Sequence, residues 1–147
     1  MKYRWLLLAL LIVYGNAFGQ GGNLKFQHLG IYDGLSHSNV RGILQDRQGF
    51  MWFSTDDGLD KYDGYKFTIY KNDPADPSSL SHNGLWRIIE DRNRNLWVAT
   101  WGGGLDMFNR MTEQFVHHRH NKDNQSSISD DFIYCVFEDH DGNIWAG

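Results

Sequence analysis

From residue 40 onward, apolar and polar residues alternate in runs of four to six, broken by turns rich in Asp and Gly. Val40 to Gln45 is followed by Asp46-Arg47-Gln48-Gly49, then Phe50 to Ser54; Asp56-Asp57-Gly58 leads into Leu59 to Tyr62, and Asp63-Gly64 into Tyr65 to Tyr70. Runs of this length with β-branched and aromatic residues predict strands. Asp-x-x-Gly and Asp-Gly predict tight turns, because Asp bonds nearby backbone and Gly accepts positive φ. No stretch after residue 20 has helical periodicity.

The pattern repeats. Asp46, Asp91 and Asp139 stand 45 and 48 positions apart, and Trp52, Trp97 and Trp145 keep the same two spacings. A period in that range with strand content predicts a β-propeller, one four-stranded blade per repeat. The expected fold is therefore all-β: two complete antiparallel blades at about 35–79 and 80–127, and part of a third from 128. Leu24 to Leu29 resembles the fourth strands at Tyr65–Tyr70 and Glu113–His118, and is expected to be a detached clasp strand for a last blade. Blades bury their faces against neighbours, so 20–147 is expected to be an incomplete propeller at the front of a longer protein.

One large aromatic per blade at a fixed place is expected to fill the wedge between blades, which assigns Trp52, Trp97 and Trp145 a structural role. Asp46, Asp91 and Asp139 are expected to close their turns through backbone N–H groups. Arg94 stands where the other copies have Gly49 and Gly142, so that turn must avoid the left-handed region or tolerate strain there.

The first 19 residues read as a secretory signal peptide. Lys2 and Arg4 precede the apolar run Trp5–Tyr14, and Ala17-Phe18-Gly19 offers a small-x-small cleavage site. Ten apolar residues are too few for a bilayer, which takes about 20. Removing Lys2 and Arg4 with this segment takes the net charge from −4 to −6. An acidic chain without a basic cluster gives no support to nucleic-acid binding. The single cysteine, Cys135, has no internal disulfide partner and, between Ile133 and Val136, is expected to be a buried structural thiol.

The combined motif, Gly34-Leu35-Ser36 with Val40, Asp46-x-x-Gly49-x-x-Trp52, Thr55-x-x-Gly58-Leu59 and Tyr62-Asp63-Gly64-x-x-Phe67, resembles the two-component regulator propeller repeat. The resemblance runs from about Leu24 to Gly147; Arg94 and the extra glycine in Gly102-Gly103-Gly104 depart from the pattern, both in turns. It implies a signal peptide, a typically seven-bladed propeller in the periplasm, and a membrane reached only through a downstream helix. It further implies that many parents continue into a histidine kinase, a receiver and a DNA-binding domain, and that such sensors respond to polysaccharide fragments. The implied function is an extracytoplasmic ligand-sensing segment of a two-component sensor, itself not an enzyme. Its expected partners are the remaining blades of the same chain and an oligosaccharide.

The rival class is a secreted propeller enzyme, because Asp-x-x-Gly-x-x-Trp also resembles the Asp-box hairpins of sialidase-type propellers. A glycosidase needs paired carboxylates or a Tyr nucleophile facing one cavity, whereas the recurring carboxylates here sit at turns. No catalytic residue, cofactor or metal site is assigned. His37 and His82 lack the helix of a phosphoacceptor, and Gly102–Gly104 opens a strand where a phosphate site needs a helix. His117, His118 and His120 have no carboxylate or Cys at a telling spacing. Asp139-x-Asp141-Gly142 is read as a turn.

The inner strand diverges most between copies: Arg41, Trp86 and Tyr134 align, then Gly42, Arg87 and Cys135, then the core-facing Ile43, Ile88 and Val136. Trp101 replaces Asp56 beside the glycine-rich turn and fills no position that is aromatic in the first repeat. Trp86, Arg87 and Trp101 are therefore the candidate ligand contacts, suited to an acidic or neutral sugar through stacking and charge-assisted bonds. Packing of Trp101 under a loop is the alternative.

Overall fold

The computed structural model describes residues 25–147. The signal-peptide segment and Leu24 lie outside the described residues. Residues 25–29 stand apart from every sheet and have no ladder partner among the described residues, so they are detached from both blades as expected for this segment. A 3-10 turn at Ile31–Asp33 follows, with Asp33 accepting the Gly30 N–H.

Two four-stranded antiparallel sheets succeed one another along the chain. The first holds β1 (Val40–Gln45), β2 (Met51–Thr55), β3 (Gly58–Tyr62) and β4 (Phe67–Tyr70), in that spatial order. The second repeats it with β5 (Leu85–Glu90), β6 (Leu96–Thr100), β7 (Leu105–Asn109) and β8 (Gln114–His118). A hairpin of β9 (Val136–Glu138) and β10 (Ile144–Ala146) opens the third. These are two blades and the start of a third, as the repeat predicts.

The faces of the blades meet in two cores. Trp52, Leu44, Phe50 and Tyr70 of the first blade pack against Leu85, Ile88, Val98, Phe108 and Phe115 of the second. Ala99, Leu105, Trp86, Ile89 and Trp97 of the second pack against Ile133, Val136 and Ile144 of the third. The exposure of equivalent residues follows from this stacking. Ile88 is covered by the first blade, but Ile43, expected to face the core, is 61% exposed because its face of the first blade has no described neighbour. Trp52 is buried, Trp97 half-buried, and Trp145 is 63% exposed on the opposite open face.

A bulge interrupts the inner strand of each repeat. Register shifts between Val40 and Gly42 and between Leu85 and Ile88, and in the third repeat Tyr134 N and Cys135 N both donate to Gly147 O. Two residues oppose one, so the in–out alternation slips. Ile133 and Val136 are buried while Cys135 between them is exposed, which corrects the expected buried thiol. At Gly42 a Cβ would lie 2.6 Å from Ser54 Oγ and 3.3 Å from Trp86 O, so the two inner strands approach only because the side chain is missing. In the second blade Ala99 replaces Ser54, and Arg87 fits.

The blades are joined at both ends. On one side Glu90 accepts Arg47 N–H and Glu138 accepts Arg92 N–H, at 2.8 and 2.9 Å. On the other, Gly58 N–H donates to Asn83 O, while Gly102 N–H and Gly104 N–H both donate to Asp131 O. Arg110 adds an ionic link, donating to Asp46 of the first blade at 2.7 Å and to Glu90 of its own at 3.0 Å. Arg94 takes φ 69°, so its turn tolerates the strain that Gly49 and Gly142 avoid at φ 95° and 92°.

Candidate functional site

The Asp-x-x-Gly turns and the inter-blade loops 71–80 and 119–128 lie at opposite ends of the strands, since each strand reverses the last. The loop end carries the sequence variation and the candidate contacts. At the turn end, Asp46 Oδ1 accepts the Gln48 and Phe50 N–H groups, and Asp139 Oδ1 those of Asp141 and Asn143. Each carboxylate's second oxygen accepts the indole N–H six residues on: Trp52 to Asp46 at 2.7 Å, Trp97 to Asp91 at 2.9 Å, Trp145 to Asp139 at 2.8 Å. The spacing that defines the motif is thus also a hydrogen bond. The sequence alone gives Asp and Trp separate jobs, and the fold joins them.

At the loop end, Trp86 sits in the β5 bulge and Trp101 directly after β6. Trp101 N–H donates to Gly84 O, and its backbone pairs with Phe132 in an isolated bridge. The turn behind it needs glycine: a Cβ on Gly104 would strike His118 O. This fixes the indole, which stacks on Trp86 with ring centres 5.4 Å apart and planes at 16°. Tyr134 meets Trp86 at 5.2 Å, and Phe132 and Tyr134 both present edges to Trp101. Trp101, Phe132 and Tyr134 remain 46%, 49% and 52% exposed. Four aromatic rings from two repeats form one surface that closes over nothing described.

Arg41 completes the cluster. Its guanidinium lies 4.7 Å from the Trp86 ring centre and grips Asp56 through Nε at 2.8 Å and Nη2 at 3.2 Å. Asn39 Nδ2 donates to the same carboxylate at 2.9 Å. Arg41 first, and Asn39 second, hold the Asp56 carboxyl below the usual carboxylate range. Trp86 and Trp101 are therefore brought together, but exposed Arg87 makes no ion pair or hydrogen bond with them. The guanidinium in contact is Arg41, from the equivalent inner strand one blade earlier. Arg41, Trp86 and Tyr134 occupy one aligned position, and Asp56 and Trp101 another. That alignment is the signal that could have found Arg41, Asp56 and Tyr134.

Other candidate chemistry is taken up locally. His117 bonds Asp106 at 2.7 Å and Pro77 O at 3.0 Å, His118 packs on Trp97, and His120 contacts Ile128 O. No set of His, Cys, Asp or Glu among the described residues is arranged to hold a metal ion. His37 and His82 each accept a backbone N–H two residues on. A pocket of about 330 Å³ lies beneath the 71–80 loop, between Asp73, Pro77, Ser81, His117 and Arg119.

The family model for the two component regulator propeller matches residues 34–57, 79–102 and 127–147. Histidine kinase P4 of Formosa agariphila is 47% identical over 62 residues, spanning 42% of this chain and 4% of that protein. The extracellular domain of the hybrid two component system BT3049 from B. thetaiotaomicron superposes with a TM-score of 0.76 at 31% identity, over 82% of this chain and 17% of that one. The extracellular domain of the one component system BT4673 from the same organism gives 0.65 at 27%, over 83% and 17%. The chain thus spans a small part of each relative's length. The three matched segments hold the first two strands of each blade, β1–β2 and β5–β6, and the β9–β10 hairpin, and by these repeats the chain belongs to the two component regulator propeller family.

Proposed function

We propose that this chain is the extracytoplasmic, periplasmic sensing portion of a two-component sensor whose parent carries a histidine kinase, and that its loop end takes up a saccharide. Kinship supports the first half: the similar BT3049 structure is the extracellular domain of a hybrid two component system, and the curated relative is named a histidine kinase. The second half is carried by one observation, the exposed Trp101 stacked on Trp86 at a place where the first blade has Asp56. An indole that fills no blade core and faces solvent beside hydrogen-bonding groups is what a sugar ring stacks on.

The test uses the complete ectodomain that contains this chain. Calorimetric titration with oligosaccharides should give binding that Trp101→Ala weakens while its melting temperature holds. Unchanged affinity with a lowered melting temperature makes Trp101 a packing residue and removes the site. In the whole protein, the same oligosaccharides should change autophosphorylation.

A further inference from the structure

Resting on that saccharide reading, we infer that the site takes an uncharged sugar: Trp101, Phe132 and Tyr134 form its stacking face, and the Arg41–Asp56 pair reads its hydroxyls. Trp86 is a positioning residue. It is held between Trp101, Tyr134 and Arg41, and links the stacking face to the ion pair through contacts of 5.4 and 4.7 Å.

Charge decides the class. An anionic sugar needs a cation whose charge is free, and the guanidinium at the cluster already holds a carboxylate by two bonds. Asp130 and Asp131 directly precede Phe132 and accept the Phe132 and His120 N–H groups, which adds two carboxylates beside this ring, whereas Arg41 is the guanidinium that touches the cluster. Arg119 Nε donates to Gly103 O, and its side chain lines the pocket that also holds Asp73 and Asp76. A carboxylate or sulfate brought here meets like charge in a partly desolvated place.

An uncharged pyranose meets complementary groups instead. Its apolar ring face covers an aromatic face, and each hydroxyl both donates and accepts. Asp56 accepts and Arg41 donates, side by side, which suits neighbouring hydroxyls. Asp56 takes three hydrogen bonds from Arg41 and Asn39, and a carboxylate has room for about four.

The experiment titrates the complete ectodomain with cellohexaose, xylohexaose and mannohexaose, and in parallel with hexagalacturonate and a sulfated hexasaccharide. The expected result is binding of a neutral hexaose, about tenfold or more weaker in Trp101→Ala. Trp101→Phe should stay near wild type, and Asp56→Asn should weaken binding with little change in its salt dependence. Anionic hexasaccharides that bind through Trp101, with affinity falling as salt rises and in Arg41→Ala, overturn the uncharged class and leave the saccharide reading standing. Neutral binding that Trp101→Ala leaves unchanged, with native melting, overturns the site. No binding in either series overturns the saccharide reading itself.

Discussion

His117 donates to the buried Asp106 Oδ1 across the β7–β8 ladder, whereas the same place opposite Asp60 in the first blade holds Ile69. Asp60 Oδ2 is bonded twice by Ser36, through its N–H and its hydroxyl, but Asp60 Oδ1 is buried without a partner. Ile69→His should supply the missing donor by copying the second blade. The gain should be about 1 kcal/mol, the usual net worth of such a bond, read from the urea midpoint of the complete ectodomain. A lowered midpoint would show that the apolar contacts of Ile69 matter more.

Arg110 bridges two blades through carboxylates that are nearly inaccessible, those of Asp46 and Glu90. Removing one partner of a largely buried ionic cluster strands the others. Arg110→Gln should cost about 2–3 kcal/mol. In a double-mutant cycle with Asp46→Asn the losses should be strongly non-additive.

Trp52→Phe keeps most of the buried aromatic volume and deletes the N–H that reaches Asp46. The loss should be about 1–2 kcal/mol, smaller than for Trp52→Ala, where a cavity adds to it. Thermal melts of both variants separate the hydrogen bond from the packing.

Arg94→Gly should stabilise the second blade by about 1 kcal/mol, because a non-glycine residue at φ 69° carries a steric cost that glycine does not. The Arg110 bond to Arg94 O is made by backbone and survives the change. A shift of the melting midpoint measures the balance between this relief and the added chain entropy of glycine.

Acid stability should be set by the Asp-x-x-Gly turns. Burial opposes ionisation of Asp46 and Asp91, but Arg110 with the Trp52 indole, and the Trp97 indole with Asn95, prevail and hold both below the ordinary range. The Trp145 indole and Asn143 do the same at Asp139. Groups lowered in the folded state stabilise it above the unfolded carboxylate value of about 4 and lose that contribution as pH falls through their folded values. Burial raises Asp60 and Asp106, which has the opposite sign: protonation there comes more easily in the folded state. The ectodomain should therefore lose stability below about pH 4, and Asp91→Asn should flatten that slope.

Strand order and the Asp-x-x-Gly turns were legible in the sequence because Asp and Trp recur at one spacing and each turn is local. Ile43 and Cys135 are exposed for two different reasons. The side chain of Ile43 depends on whether another blade covers it. Cys135 sits in a bulge, which shifts alternation by one residue without a mark in the local composition. Arg87 adjoins Trp86 in sequence but makes no hydrogen bond or ion pair among the described residues, and the inter-blade approach at Gly42 brings Arg41 onto Trp86. Contacts across a blade boundary follow the repeat alignment, and neighbours along the chain do not predict them.

Trp101 and Phe132 belong to consecutive repeats, tied where Asp131 O receives two glycine N–H groups. A molecule resting on both rings would straddle that joint and touch two repeats at once. It would add a tie across a seam now held by backbone hydrogen bonds and the packing of Ala99 and Leu105 on Ile133 and Val136, and so should make the two repeats harder to part.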